Sequence, residues 1–282
     1  MIKSVGLGLG VWGNKGWVGR FFPRNTKSGE FLKAYASTFN AVEASSSFYG
    51  LPVQHTLDKW KADTPDGFRF CFKFPREITH ERKLGNVREE TAGFLRMIRT
   101  MESRLGPCLL QLPPSFDTSY LPALNAYIST LPKDFEYAVE VRHPSFFHPN
   151  GNRQLTSLLL EHSVNRVILD RRATQSTASV AEGISLPSEP DAPIIEIKPT
   201  METSTSPFIR FVGLNEPTSN LRWLSDWCPL VADWIQQGRF PLFFLHTIND
   251  LQAPELAKLF HGELSHIADV GSLPSGQQLN LF

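Results

Sequence analysis

Phe68-Arg69-Phe70-Cys71-Phe72-Lys73-Phe74-Pro75 alternates aromatic and other residues and stops at a proline. That is the pattern of a β-strand, whose successive side chains take opposite faces. Before it, a helix is expected near Pro52, with Leu57 and Trp60 turned inward. After it, 89–104 reads as a helix carrying Phe94, Leu95, Ile98 and Met101 on one side. Strand and helix then keep alternating. Strands are expected at 5–9, 40–43, 68–74, 108–112, 136–141, 164–170, 208–212 and 240–245. Ser28 is placed to cap a helix bearing Phe31, Leu32, Tyr35 and Phe39. Leu121, Leu124, Ile128 and Leu131 mark another helix, and Leu155, Leu158 and Leu159 the next. The last two fall at 220–237, with a kink at Pro229, and 253–264. Eight strands separated by helices predict a parallel sheet closed into a single (β/α)8 TIM-type barrel, and an open doubly wound sheet is the alternative. The 282 residues suit such a barrel, which typically needs roughly 250.

Composition narrows the class. Hydrophobic residues make up 41%, and 21 Phe with 6 Trp predict an aromatic interior. Lys plus Arg and Asp plus Glu are 28 each, so no overall basic field draws the chain to nucleic acid. Cys71, Cys108 and Cys228 form no Cys-x-x-Cys pair and read as buried, reduced thiols. The start, Met1-Ile2-Lys3-Ser4, lacks the apolar core of a signal peptide, and no apolar run approaches the ~18 residues of a membrane span. A cytoplasmic, non-membrane protein is expected. The barrel is assigned to 1–267. Within it 171–207, rich in Ser, Thr and Pro with only 194–198 extended, reads as a partial lid or a tolerated insertion.

Barrel enzymes carry their functional side chains at the C-terminal ends of strands. Glu43, Lys73, Gln111, Glu140, Arg142, Asp170, Arg210 and His246 fall at or near those ends. A charge there is costly unless paired or solvated in a pocket. Glu43, Glu140 and Asp170 are therefore candidate acids, bases or metal ligands, and His80 and His246 candidate proton carriers. Lys73, Arg142 and Arg210 would stabilise negative charge, and Gln111 would bind substrate. Each has a plainer reading: a loop cap for Glu43, a solvated ammonium for Lys73, a simple ion pair for Glu140 and Arg142, a satisfied core imidazole for His246. Downstream of Lys73, Arg76, His80, Arg82 and Lys83 would meet an anion, diluted by Glu77 and Glu81, with His80 titrating near neutrality. A divalent metal held by Glu43, His80, Glu140, Asp170 and His246 is conceivable, although no His-x-x-x-His spacing supports it.

Gly8-Leu9-Gly10-Val11-Trp12-Gly13 formally matches a dinucleotide fingerprint. It is rejected, because Asn14-Lys15-Gly16-Trp17 and Phe21-Phe22-Pro23 follow where a helix should open. A loop presenting Trp12 and Trp17 at a pocket rim is expected instead.

Several stretches resemble the YecE-like family, domain of unknown function 72, over nearly the whole chain. They are Phe39-Asn40-Ala41-Val42-Glu43, Ser47-Phe48-Tyr49-Gly50-Leu51-Pro52, Trp60, the Thr64 to Pro75 run with Thr79-His80, Leu105-Gly106-Pro107, Gln111-Leu112-Pro113-Pro114 and Val139-Glu140-Val141-Arg142-His143-Pro144. The resemblance implies a TIM barrel and no substrate. It places family positions on Glu43, Phe48, Tyr49, Lys73, His80, Gln111, Glu140 and Arg142. Trp12, Phe48 and Tyr49 are candidates to stack on a substrate ring. One departure is Phe244-Leu245-His246-Thr247, where many members end the last strand on paired asparagines.

The segment 268–282 reads as a flexible tail. Its Gln277-Gln278-Leu279-Asn280-Leu281-Phe282 resembles the peptide with which bacterial replication and repair proteins grip the DNA sliding clamp. Gln278, Leu279, Leu281 and Phe282 carry that match; folding back onto the barrel is the alternative. The expectation is a hydrolase or lyase acting on nucleic acid or a phosphorylated, anionic substrate and recruited to the clamp, with metal-assisted phosphoester hydrolysis as one version. The alternatives are an enzyme on a small sugar or phosphorylated metabolite, and a non-catalytic adaptor.

Overall fold

The computed structural model describes residues 1–175 and 203–273. The expected extended stretch 194–198, most of the 171–207 insertion, and the docking residues Gln278, Leu279, Leu281 and Phe282 lie outside the described residues.

Eight parallel strands alternate with helices: β1 Gly6–Leu9, β2 Ala41–Ala44, β3 Arg69–Phe72, β4 Cys108–Gln111, β5 Tyr137–Glu140, β6 Asn165–Asp170, β7 Phe208–Gly213 and β8 Leu242–Thr247. The described helices are α1 Phe31–Ala36, α2 Gln54–Asp63, α3 Arg88–Ile98, α4 Leu121–Thr130, α5 Pro149–Glu161, α6 Leu221–Gln236 and α7 Ala253–Ser265. The strands pair in the order β3-β2-β1-β8-β7-β6-β5-β4. The remaining seam, β3 to β4, is joined by the bridges Phe70 to Leu105 and Lys73 to Leu109, and by Phe74 N–H donating to Leu109 O at 2.9 Å. The sheet is thus a (β/α)8 barrel with one thin seam.

Register fixes which residues face inward. Ala41, Cys71, Leu109, Ala138, Val167, Phe208, Leu242 and Phe244 form one buried cluster inside the barrel. A second, larger cluster fills the space between barrel and helices, with Phe70, Phe72, Phe74 and Trp227 among it. Aromatic Phe208 and Phe244, 4.9 Å apart, occupy one side of the interior. Glycine leaves room opposite them, since Gly6 and Gly8 are in register with Leu242 and Phe244. A Cβ on Gly8 would lie 2.0 Å from the Ala41 carbonyl oxygen, and one on Gly10 would lie 2.2 Å from the His246 ring. The glycines of the rejected fingerprint therefore serve a bare interior face, and a short turn, Lys15–Trp17, follows them.

Several local expectations are corrected. Trp17 is not at a rim: it is 0% exposed, packs edge-on against Phe21 and Phe22, and donates Nε1–H to Asp250 O. Ser28 caps nothing; it opens a turn, Ser28–Glu30, whose Glu30 carboxylate accepts from Lys27 N–H. The helix expected over 89–104 ends at Ile98 and continues as the tighter turn Arg99–Arg104, where Glu102 adopts φ 53°. Asn40 lies just ahead of β2, and its side-chain amide pairs with Leu7 N and Val5 O. Residues 268–273 are packed rather than loose, with Val270 buried, its carbonyl accepting from Lys3 N–H, and Gly271 bridged to Ile2. The three cysteines are free and buried, and burial pushes their thiols up. Among the described residues no helix is long and apolar enough to cross a membrane.

Candidate active site

The inward positions at the C-terminal ends of β2, β5 and β7 hold Glu43, Glu140 and Arg210. Arg210 reaches across the barrel. Its Nε and Nη2 donate to Glu43 Oε1 and Oε2 at 2.7 and 2.9 Å, and its Nη1 donates to Glu140 Oε2 at 2.6 Å. Arg142 Nε donates to Glu140 Oε1 at 2.8 Å, and His246 Nε2 stands 3.5 Å from Glu43 Oε1. Every carboxylate oxygen thus faces a guanidinium, the geometry that makes buried charge tolerable. Burial works to raise the Glu43 and Glu140 carboxyls. Arg210 outweighs it at both, with His246 at Glu43 and Arg142 at Glu140, and holds each at about 2. Burial opposes the Arg210 charge, but the two carboxylates prevail and raise it above the ordinary arginine range.

Lys73 stands beside this network at the end of β3, inward by its bridge to Leu109. The turn Ser45–Phe48 follows β2, and its Ser47 hydroxyl donates to Lys73 O at 2.6 Å. That turn sets the Phe48 ring under the ammonium, with Nζ 3.8 Å from the ring centre. Among the described residues no carboxylate lies within ion-pair distance of Nζ. Burial pushes Lys73 down to about 8; Glu140 pulls it back, while Arg210 and Arg142 deepen the shift. His80 lies on a π-helical turn, Glu77–Glu81, edge-on to the same Phe48 at 4.9 Å, with Nδ1 2.8 Å from Thr79 Oγ1. Burial, then the charges of Lys73, Arg142 and Arg76, hold it at about 4. The imidazole is therefore neutral at pH 7, contrary to the expectation that it titrates near neutrality. Gln111, in register with Glu140 and 5% exposed, has no side-chain hydrogen bond among the described residues. Tyr49, 82% exposed, meets Phe48 edge-on at 5.1 Å on the outer side.

Glu43, Lys73, His80, Gln111, Glu140, Arg142, Arg210 and His246 are therefore brought together at one mouth, with Phe48 and Tyr49 at its edge. Asp170 is not. Leu169 is in register with inward Arg210, so Asp170 turns outward and binds Arg172 Nη2 at 2.9 Å and Trp227 Nε1 at 2.8 Å. Trp12 is also elsewhere, edge-on to Trp60 at 4.8 Å and Phe70 at 6.2 Å in the outer aromatic layer. Arg76 pairs with Glu81 and Arg82 with Glu77 and Glu90, while Lys83 donates to Ser115 O and Tyr120 Oη, so these cations are already engaged. Ser47, Thr79 and Gly10 also shape the mouth and were not singled out. Ser47 and Thr79 lie in the stretches that carry the family resemblance, and Gly10 in the period-two repeat Gly6-x-Gly8-x-Gly10.

The five residues suggested as metal ligands do not fit one. Among the described residues no three His, Cys, Asp or Glu side chains gather to hold an ion. Asp170 faces away, and the oxygens of Glu43 and Glu140 already accept guanidinium protons. No metal-assisted step follows from this arrangement.

A family model described as "Protein of unknown function DUF72" matches residues 6–278. The chain belongs to the DUF72 family. Its relative UPF0759 protein YecE of Escherichia coli (strain K12) is 35% identical over 281 residues, covering 98% of this chain and 99% of that one. Solved DUF72 structures share the fold. The Thermotoga maritima MSB8 protein TM1631 superposes with TM-score 0.70 at 24% identity, over 93% of this chain and 99% of the other. The Enterococcus faecalis V583 protein EF0366 gives 0.67 at 20%, over 93% and 95%. In this DUF72 chain His246 points inward to Glu43, and the next residue, Thr247, is buried with its Oγ1 lacking a partner among the described residues.

Proposed function

We propose that this DUF72 protein is an enzyme that takes an anionic substrate, phosphorylated or nucleotide-like, into the mouth of its barrel. The observation that carries the reading is the charge balance there. Among the described residues the mouth gathers two carboxylates, Glu43 and Glu140, against three cations, Lys73, Arg142 and Arg210. Both carboxylates are already saturated by arginine. Among the described residues Lys73 and Gln111 are inward-facing donors with no hydrogen-bond acceptor, and an anion accepts from both. Tyr49 offers an exposed ring to a base or sugar at the rim.

Calorimetric titration with inorganic phosphate, a nucleoside monophosphate and a neutral sugar tests this. The anions bind, and Lys73→Gln weakens them by about tenfold to a hundredfold, as loss of one charge-assisted hydrogen bond requires. Arg99→Gln, whose guanidinium pairs with Asp134 ahead of β5 and so at the opposite end of the barrel, leaves binding unchanged. Equal binding of the neutral sugar, or no anion binding by the wild-type protein, overturns the reading.

The same proposal has Gln278, Leu279, Leu281 and Phe282 dock on the sliding clamp, Leu and Phe filling an apolar groove while Gln fixes register. Zero net charge supports delivery through a partner rather than autonomous DNA affinity. Full-length protein binds the cognate clamp saturably and a chain truncated after residue 277 does not. No binding by the intact chain removes the recruitment half and leaves the mouth chemistry standing.

A further inference from the structure

We infer that Lys73 is a covalent residue: its amine, held over the Phe48 ring at the mouth with no carboxylate partner among the described residues, forms an imine with the carbonyl carbon of an anionic aldehyde or ketone.

The inventory of nucleophiles leads there. Cys71 is sealed in the barrel interior beneath the charge network, and the other two thiols are buried in the outer layer. The oxygens of Glu43 and Glu140 are occupied by guanidinium groups. The Ser47 hydroxyl is spent on the Lys73 and Ala44 carbonyls. Beside the His80 and His246 imidazoles, which cannot condense to an imine, the Lys73 amine is the nucleophile the mouth still offers among the described residues, and the electrophile an amine takes reversibly is a carbonyl.

The surroundings suit that chemistry. An imine-forming lysine must be neutral when it attacks, and desolvation beside other cations favours the neutral form. Lys73 has both conditions: it is partly buried, and Arg142 and Arg210 act on it from β5 and β7, opposed by Glu140 and Glu43. Phe48 covers one side of Nζ. Across Phe48, the neutral His80 imidazole is available to move protons. Gln111 is free to hold the carbonyl oxygen.

The step balances without a co-reactant. The neutral amine nitrogen adds to the carbonyl carbon and loses one proton as the oxygen gains one, giving a carbinolamine. Its hydroxyl takes a second proton from solvent, the C–O bond breaks as water leaves, and the nitrogen lone pair forms the C=N bond of the protonated imine. The protonated imine withdraws the electron pair of a neighbouring C–H or C–C bond, so the reaction class is proton abstraction or carbon–carbon cleavage beside a carbonyl. That the carbonyl compound is anionic rests on the function proposed above; the amine chemistry rests on the geometry of Lys73.

The test uses the full chain and two aldehyde probes, pyridoxal 5′-phosphate as the anionic one and glycolaldehyde as the neutral one. Each is followed by borohydride reduction and peptide mapping at about neutral pH. Lys73 is expected to take the pyridoxal label at least roughly tenfold faster than free Nα-acetyl-lysine, whose ordinary pKa is about 10.4. Inorganic phosphate slows the labelling, and Lys73→Arg, which keeps the cation, loses it. If both probes label Lys73 preferentially and phosphate does not protect, the amine inference holds and the anionic-substrate reading fails. If phosphate binds by calorimetry yet Lys73 stays unlabelled while other lysines react at the rate of the free amino acid, the imine is overturned and the anionic reading survives.

Discussion

At the residue scale, Arg210 holds the site together. It satisfies two carboxylates buried on different strands, and removing it strands both. Arg210→Gln should destabilise the fold by about 3–5 kcal/mol, the usual result of breaking a buried pair, read from chemical denaturation. A change below roughly 1 kcal/mol would mean the network is solvated and the geometry wrong. The same carboxylates set the acid limit. Both are held at about 2, below the usual carboxylate value near ~4.3, so they contribute stability that is present above about pH 4.3 and lost as pH falls toward 2. His80 acts in the window above. Its folded value, about 4, lies below the ordinary ~6.5, so the unfolded chain binds the extra proton first and stability falls from about pH 6.5 to 4. Denaturation midpoints should decline in both windows, and His80→Gln should make the upper decline shallower, where burial also holds His261 down, and leave the lower one unchanged. The His80 shift was not legible in the sequence: Lys73 and Arg76 are close to it along the chain, but its burial, the largest cause, and the charge of Arg142 depend on the folded barrel.

At the element scale, legibility followed the physics of each strand. Phe68 to Phe74 announces itself because aromatic residues fill one face and Arg69, Cys71 and Lys73 the other. Arg210 and Glu43 stood out as single charges within apolar runs, and both proved to be interior. Asp170 closes Val167-Ile168-Leu169, which is apolar on both faces because a parallel barrel strand is covered on both sides. Alternation vanishes there, and only pairing with β7 shows that Asp170 turns outward. The thin β3–β4 seam and the left-handed Glu102 that ends the helical run had no sequence signal either. Gly10 offers a test of how far strand β1 shapes the mouth. Gly10→Ala places a methyl into the His246 ring, so it should cost about 1–3 kcal/mol by overpacking and shift the His246 ring resonances in NMR spectra. Unchanged stability together with unchanged resonances would show that β1 does not confine the imidazole.

At the scale of the whole molecule, charge is arranged rather than accumulated. The chain is neutral overall, yet one end of its barrel concentrates two carboxylates and three cations in a half-buried mouth. Low local dielectric strengthens whatever excess remains, so a single unneutralised ammonium there is worth far more to an anion than a surface lysine. The alternation of eight strands with helices made a parallel sheet readable and favoured a barrel, while closure itself was decided by the pairing of the strands and the β3–β4 bridges. The mouth was readable as a list of polar strand ends, and not as a pattern of pairings, because pairing across a barrel joins residues as distant as Glu43 and Arg210. The most direct measurement is an NMR titration of the Lys73 side chain, with and without inorganic phosphate. The account predicts a midpoint near 8 in the free protein and an upward shift when phosphate is added, since an anion favours the ammonium. A midpoint at the ordinary lysine value of about 10.4, unmoved by phosphate, would contradict it.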